Sequence, residues 1–126
     1  MKQQEDMTLE SRRTLLGRLK HSNEVNITVA GRKTKKRFSA PVWFVLDGEQ
    51  VILVPMKGSD NEWYKNLTKQ PQIELGVDDI TIPFKAILVR DSTKVEKVLD
   101  KFRAKYKSMW SESYYTKRDV YVEVPT

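Results

Sequence analysis

The chain has 126 residues, a length that suits one domain, and we predict a single domain over residues 1–126. The absence of cysteine excludes disulfides and thiolate chemistry. With His21 as the single histidine, serine–histidine hydrolysis is disfavoured, and we predict no metal site. The formal net charge of +6 at pH 7 favours anionic partners, among them nucleic acid, anionic lipid and phosphorylated cofactors.

The first half of the chain predicts one helix followed by strands. Residues 8–20 place leucines on one side, which is the pattern of an amphipathic helix. Apolar and polar residues then alternate through 25–30, and a second strand is predicted from Ser39 to Leu46. Asp47-Gly48 is a strong hairpin signal, and Val51–Val54 is the short apolar strand that returns from it.

Two capping boxes predict helices in the second half of the chain. Ser59 and Glu62 have the Ser-x-x-Glu spacing, so we expect a helix to begin at Ser59 and to end before Pro71. Thr93 and Glu96 have the same relationship, and the helix behind them carries a continuous apolar face.

Three more strands complete the prediction. One begins at Ile73, a longer one alternates from Ile80 to Leu88, and the last covers Val120–Val124. Pro83 favours an edge or a bulge for the longer strand. About six strands and about three helices, with more hairpins than helical crossovers, predict a mainly β, α+β domain built as a small antiparallel barrel with packed helices.

Four segments follow one another in an order that resembles a known family. They are Gly31-Arg32-Lys33-Thr34, Pro41-Val42-Trp43-Phe44, Asp47-Gly48 and Trp63-Tyr64-Lys65-Asn66-Leu67. This order resembles the split-barrel flavin-binding superfamily of the pyridoxamine-phosphate oxidases, and most closely its deazaflavin-dependent nitroreductase-like branch. The resemblance implies a six-stranded antiparallel split β-barrel with about three packed helices. It also implies a homodimeric oxidoreductase that transfers hydride to or from a small planar substrate.

The resemblance further implies a site for a phosphorylated flavin-type cofactor, either FMN or the deazaflavin coenzyme. The implied residues are Arg32, Lys33, Arg37, Ser39, Ala40, Pro41, Val42, Lys57, Gly58, Ser59 and Trp63. Residues 39–42 would lie against the ring, and the basic side chains of 32–37 would contact the phosphate. Residues 57–59 would form a second anion site at a helix N-terminus. Phe38 stands where the family usually carries its phosphate-binding arginine, so Arg37 would act from a shifted position.

Each part of this site also has a structural interpretation. The basic segment 32–37 is equally typical of a solvated hairpin loop, and residues 57–59 of a turn that leads into a helix cap. Trp43 on an alternating strand is more often a core or interface residue than a stacking partner. Tyr114 and Tyr115 resemble the aromatic lid over the substrate in some relatives, but packing explains them equally well. No side chain is singled out as catalytic.

Two other functions stay open at the level of the sequence. The same fold and ligand would serve a cofactor carrier or sensor without turnover, because no acid–base group stands out near the proposed ring site. A basic nucleic-acid-binding barrel is the third interpretation. It is disfavoured because the strands lack the regularly interleaved aromatic residues that stack on bases.

We expect a cytoplasmic protein without a membrane partner. No apolar run approaches the length of a membrane span, and the segment 1–6 lacks the apolar core of a signal peptide. Asn26 and Asn66 match the glycosylation pattern, which we treat as chance in a protein without a secretion signal.

Overall fold

The computed structural model describes residues 2–126, with side chains described from residue 9 onward. The helices are α1 (Lys2–Leu19), α2 (Glu62–Lys69) and α3 (Ser92–Tyr106). The strands are β1 (Val25–Ala30), β2 (Arg37–Val42), β3 (Val45–Asp47), β4 (Gln50–Leu53), β5 (Gln72–Val77), β6 (Ile80–Lys85), β7 (Ile87–Val89) and β8 (Tyr121–Pro125). Short 3-10 turns cover Gly58–Asp60, Lys107–Met109 and Glu112–Tyr114.

The strands form two four-stranded sheets, with the orders β2-β1-β5-β6 and β3-β4-β8-β7. Every strand pair in them is antiparallel, so the predicted α+β class with antiparallel sheets and three helices is confirmed. Strand β6 lies at an edge of the first sheet, as Pro83 predicted. An edge strand has one row of backbone groups without ladder partners, so a residue that has no N–H is tolerated there.

The predicted count of six strands is wrong, because two predicted strands each bend from one sheet into the other. The strand predicted from Ser39 to Leu46 is divided into β2 and β3 at Trp43 and Phe44. The strand predicted from Ile80 to Leu88 is divided into β6 and β7 at Ala86. The Ala86 N–H leaves the ladder and donates to the Pro71 carbonyl oxygen (2.7 Å).

The alternation of apolar residues continues through the first bend, which is why the sequence does not reveal it. Val42, Phe44 and Leu46 all pack into the core between the two sheets. Trp43 and Val45 pack into a second core. The inner face of one sheet therefore continues as the inner face of the other, so the period of two is kept while the hydrogen-bonding partners change.

Each core is closed by a different helix. In the core between the sheets, Leu15 and Leu19 of α1 are fully buried. The second core lies between the other face of the second sheet and the apolar face of α3, where Leu99 and Phe102 are fully buried. The outer face of the first sheet is polar instead, and its Thr28 and Ser39 hydroxyls hydrogen-bond across the strands (2.7 Å).

Two helices begin at residues other than those predicted. Helix α1 runs over Lys2–Leu19 rather than 8–20, and none of the helices in residues 2–126 is long and apolar enough to span a membrane. Helix α2 begins at Glu62 rather than at Ser59, with Asn61 as its N-cap. Ser59 lies in a 3-10 turn, so the predicted capping role of Ser59 is wrong.

The predicted cap of α3 is also wrong, by two residues. The helix begins at Ser92, and the Asp91 carboxylate accepts hydrogen bonds from the backbone N–H groups of Thr93 (3.1 Å) and Lys94 (3.3 Å). Thr93 is therefore inside the first turn and donates to the cap instead of being the cap. The positive end of the helix dipole also stabilises a carboxylate at this position.

We expect Asp91→Ala to lower the free energy of unfolding by about 1 kcal/mol, because it removes the acceptor of both first-turn N–H groups. Thr93→Ala is the matched control, and we expect a change within about 0.5 kcal/mol because its hydroxyl does not cap the helix. Urea unfolding at neutral pH measures both. A larger loss for Thr93→Ala than for Asp91→Ala would mean that the sequence pattern had identified the cap correctly.

Candidate functional site

A cleft of about 210 Å³ opens beside the bend between β2 and β3. Its lining residues are Glu24, Pro41, Val42, Trp43, Val54, Met56, Asn61, Trp63 and Tyr115. They come from four separate parts of the chain: the approach to β1, the bend itself, the segment from β4 into α2, and the segment before β8. Three of the predicted cofactor residues, Pro41, Val42 and Trp63, meet in this cleft.

The side chain of Tyr106, the last residue of α3, holds the bend in place. The Phe44 N–H donates to the Tyr106 hydroxyl oxygen (3.0 Å), and the hydroxyl lies within donating distance of the carbonyl oxygens of Asn23 (2.8 Å) and Phe44 (3.0 Å). The Tyr106 ring stacks on the Trp43 indole, with centroids 4.0 Å apart and planes 6° from parallel. Burial raises the pKa of Tyr106 to about 12, so the hydroxyl keeps its proton at neutral pH.

Lys105 contacts the same peptide group. Its amino group donates to the Phe44 carbonyl oxygen (2.9 Å) and lies 3.4 Å from the centroid of the Phe44 ring. Burial lowers the pKa of Lys105 to about 8. The carbonyl and the ring face both favour the charged form, so the amino group is held at the bend by two groups of one residue.

The two tyrosines that precede β8 each pack on an aromatic neighbour beside the cleft. Tyr115 is buried, stacks on Trp110 (5.1 Å between centroids) and also lines the cleft. Burial raises the pKa of the Tyr115 hydroxyl. Tyr114 lies edge-on to Trp43 (5.7 Å between centroids) and remains exposed.

An ionic cluster fixes this C-terminal segment to α3. The Glu112 carboxylate accepts hydrogen bonds from Arg103 (2.8 and 2.9 Å) and from Arg118 (2.9 Å). The Trp110 indole N–H donates to the same carboxylate. The hydrogen bonds from Arg103, followed by that from Trp110, hold the pKa of Glu112 far below its usual range. The segment that carries Tyr114 and Tyr115 is therefore positioned by charge as well as by packing.

The anion site predicted at residues 57–59 is filled by a carboxylate of the protein itself. The Ser59 N–H donates to Asp119 Oδ1 (3.0 Å), and the Ser59 hydroxyl donates to Asp119 Oδ2 (2.5 Å). Burial would raise the pKa of Asp119, but the hydrogen bonds from Ser59 outweigh it, so the pKa is lowered. A cofactor phosphate at Ser59 would have to displace Asp119.

The other backbone donors of this loop also have partners within the protein. The Lys57 N–H donates to Asn61 Oδ1 (3.2 Å), and the Gly58 N–H donates to the Pro55 carbonyl oxygen (3.0 Å). Gly58 has φ of +56°, and a Cβ atom there would lie 2.7 Å from the Lys117 carbonyl oxygen. Glycine is thus required at residue 58, and it admits the protein's own chain rather than a ligand.

The basic loop between β1 and β2 is partly engaged in contacts with its surroundings. The Arg32 guanidinium donates to Asn66 Oδ1 (2.9 Å) and to the Glu62 carboxylate (3.0 Å), which ties the loop to α2. The hydrogen bond from Arg32 to Glu62 and the positive charge of Arg32 lower the pKa of Glu62. Arg37 pairs with the Glu74 carboxylate on the outer face of the first sheet. Lys33 is exposed.

The predicted ring-binding strand 39–42 presents its residues on two faces. Ser39 points to the polar outer face, where it bonds to Thr28, and Ala40 alternates with it as a half-buried residue. Pro41 and Val42 both line the cleft because they lie at the end of β2, where the strand bends. The cleft therefore includes the second half of the predicted segment.

Sequence reasoning did not assign Glu24, Val54, Met56 and Asn61 to the site. A helix that begins at Ser59 would contain Asn61 in its first turn. In the structure Asn61 is the N-cap of α2 and lines the cleft. Val54 and Met56 follow the strand β4, and only the three-dimensional course of the chain brings them to the bend. No sequence motif distinguishes these residues from ordinary strand and loop positions.

Comparison with protein families gives a match over the whole chain. The model of the F420H(2)-dependent quinone reductase family matches residues 1–126. The chain belongs to this family. Of the two cofactors that the sequence left open, the one named for the family is the deazaflavin coenzyme F420 rather than FMN. No functionally curated protein matches the chain.

Solved structures show that the family fold is shared more widely. An F420-H2-dependent reductase is 19% identical, with 81% of this chain and 93% of that chain covered and a TM-score of 0.58. A protein assigned as a pyridoxamine 5'-phosphate oxidase from Listeria innocua is 14% identical, with 90% of each chain covered and a TM-score of 0.65. A structure described as a domain-swapped dimer is 19% identical, with 81% and 79% covered and a TM-score of 0.59. At these identities the likeness concerns the fold, which is that of the pyridoxamine-phosphate-oxidase-like proteins.

The lining of the cleft is mainly aromatic and apolar. Three of its lining side chains, Trp43, Trp63 and Tyr115, are aromatic, and most of the others are apolar. Its volume of about 210 Å³ is below the range of roughly 300–1,000 Å³ that is typical for drug-sized ligands. A complete coenzyme would therefore extend beyond this cleft.

We expect Asp119→Asn to destabilise the protein by about 1 kcal/mol, because the amide replaces a charged acceptor of two hydrogen bonds from Ser59. We expect a loss this small for hydrogen bonds to a charged group because 31% of the Asp119 side chain is exposed to solvent. Asp60→Asn, which breaks only an exposed ion pair with Lys117, is the control and should cost less than about 0.5 kcal/mol.

The loss of stability caused by Asp119→Asn is predicted to depend on pH. Because the pKa of Asp119 is lowered in the folded protein, its contribution is present above the unfolded pKa of about 3.9 and is lost as the pH falls through the folded pKa. The difference between wild type and Asp119→Asn in urea unfolding should therefore narrow below about pH 4. A difference that stays constant down to pH 2 would show that the charge of Asp119 does not stabilise the loop.

Proposed function

We propose that this protein binds the deazaflavin coenzyme F420 at the cleft and transfers hydride from the reduced coenzyme to a small planar substrate of the quinone type. The observation that carries the proposal is membership of the F420H(2)-dependent quinone reductase family over residues 1–126. The aromatic and apolar lining of the cleft supports it, because a flat ring is stabilised by contact with flat side chains.

The reduced coenzyme supplies the hydride when it is bound, and the chain has to hold the ring and keep water away from it. Pro41 and Val42 form the strand end against which the ring is proposed to lie. Trp43 is fixed by its stack on Tyr106, and Trp63 is only 6% exposed, so neither wall of the cleft needs to be ordered when a ligand enters.

Reduction of a quinone to a hydroquinone consumes one hydride and one proton. Two groups that line the cleft can exchange a proton, the Tyr115 hydroxyl and the Glu24 carboxyl group. The Tyr115 hydroxyl carries a proton at neutral pH and is the donor that we propose, and the exposed Glu24 lies between the cleft and solvent.

The phosphate of the coenzyme is proposed to lie against the basic loop. Lys33 is exposed, and no carboxylate oxygen among the described side chains lies within 4.0 Å of its amino group. Arg37 would contribute by exchanging its pairing with Glu74, whereas Arg32 is engaged with α2. On the other side of the cleft, Lys57 is the residue of 57–59 that we propose as a phosphate contact. Its exposed side chain can reach a phosphate while Asp119 stays bonded to Ser59.

A homodimer is the assembly that we propose. The cleft is smaller than a complete coenzyme needs, so a second copy would provide the remaining walls. Phe38, Met56 and Tyr114 are apolar or aromatic and each more than 40% exposed, and Met56 lines the cleft itself. The domain-swapped dimer among the similar structures supports this assembly.

Titration with oxidised F420 and with FMN, followed by tryptophan fluorescence, tests the binding part of the proposal. We expect saturable binding of F420, and a preference for F420 over FMN of about tenfold or more, which corresponds to about 1.4 kcal/mol. Lys33→Gln combined with Arg37→Gln should weaken F420 binding by about 10–100-fold, because two phosphate contacts are lost. Lys35→Gln combined with Lys36→Gln is matched in charge and in loop position and should have an effect of about threefold or less.

Anaerobic turnover tests the reaction itself. Reduced F420 should be oxidised by a simple naphthoquinone only when the protein is present, in proportion to protein concentration. Tight binding of F420 without quinone-dependent oxidation would indicate that the protein is a cofactor carrier or sensor and not a reductase. Binding of FMN alone, or of neither cofactor, would contradict the proposal.

A further inference from the structure

A second groove lies apart from the cleft, where α1 meets the edge strand β6 and the connection between α2 and β5. Its volume is about 890 Å³, and it is open to solvent. None of the residues that line it also lines the cleft. The groove is therefore a separate cavity, and the proposed reaction does not use it.

The ionisable side chains of this groove are all cationic. They are Arg12 of α1, Lys69 at the end of α2 and Lys85 at the end of β6. No carboxylate among the side chains described from residue 9 onward lies within 4.0 Å of these three cations. Arg18, one turn and a half further along α1, instead pairs with Asp79 (2.9 Å). The groove thus concentrates part of the chain's positive charge in one concave surface.

Arg12 is the most informative of the three. Its guanidinium carbon lies 5.7 Å from the centroid of the Phe84 ring, in the range of a cation–π contact. Its Nε is buried and has no hydrogen-bond partner among the side chains described from residue 9 onward or the described backbone. A buried donor without an acceptor costs about 1–3 kcal/mol, so an acceptor oxygen supplied by a ligand would be stabilising at this point.

We propose that this groove binds an organic phosphate or polyphosphate. A guanidinium donates two parallel hydrogen bonds to phosphate oxygens, and two ammonium groups on other elements suit a multiply charged anion better than a single carboxylate. The amides of Gln70 and Gln72 add neutral donors beside them, and Phe84 offers an apolar surface for the organic part. This site is additional to the coenzyme cleft.

The test is a calorimetric titration with inorganic pyrophosphate at constant ionic strength. We expect saturable binding at one site per chain, with Arg12→Gln weakening it by about tenfold or more. Arg13→Gln removes the same charge from the next residue of α1, which does not line the groove, and should change the affinity by about twofold or less. Thermal unfolding without ligand controls for folding, and Arg12→Gln should remain folded at the titration temperature, with a small loss of stability from the cation–π contact with Phe84.

Three results would overturn the inference: no saturable binding to the wild-type protein, equal losses for Arg12→Gln and Arg13→Gln, or a parallel loss of F420 affinity in Arg12→Gln. The last would mean that these cations belong to the coenzyme site. The inference and the proposed function fail separately, because pyrophosphate binding to the groove does not require F420 to bind or react.

Discussion

The contact between the Tyr106 hydroxyl and the peptide groups of Phe44 is the interaction on which the rest of the structure depends. At this residue the chain leaves one sheet and enters the other, so the Phe44 N–H and carbonyl oxygen cannot be paired by a ladder. Phe44 is fully buried, and unpaired backbone groups there would be costly. Tyr106 and Lys105 supply the missing partners from the end of α3. The same tyrosine ring stacks on Trp43, so a single residue both permits the bend and orients one wall of the cleft.

Charged groups around the cleft act mainly as positioning devices. Asp119 holds the turn at Ser59, Glu112 holds the segment of Tyr115, and Arg32 ties the basic loop to α2. Each of these contacts fixes a segment that contributes to the cleft or adjoins it, while the lining itself stays largely apolar. Such a division suits hydride transfer to a planar substrate, because a dry and preorganised pocket strengthens the few polar interactions that remain inside it.

Much of the fold could be predicted from the sequence, because its elements depend on local patterns. The helix that ends in Tyr106, the Asp47-Gly48 hairpin and the edge position of Pro83 follow from periodicity and turn chemistry. The bends at Phe44 and Ala86 could not be predicted, because alternation persists where a strand changes its partners. The predictions of the two helix caps were wrong for a related reason. Ser-x-x-Glu spacing also occurs where the serine bonds elsewhere, and at Ser59 its partner is 60 residues away in the sequence.

The lining of the candidate site was predictable where it lies on one strand end and one helix. Pro41 and Val42 lie in one short motif and Trp63 in another, whereas Glu24 and Tyr115 reach the cleft only through the tertiary fold. The resemblance to deazaflavin-dependent proteins gave the correct family, because the order of several weak motifs survives where single motifs are unspecific.

The central claim is that the deazaflavin ring occupies the cleft beside the Tyr106-stabilised bend, and a crystal structure with oxidised F420 bound tests it most directly. The account predicts the ring in contact with Pro41, Val42 and Trp63, next to a Trp43 indole that is still stacked on Tyr106. A ring bound away from the bend, for example in the groove of Arg12, Lys69 and Lys85, would contradict it.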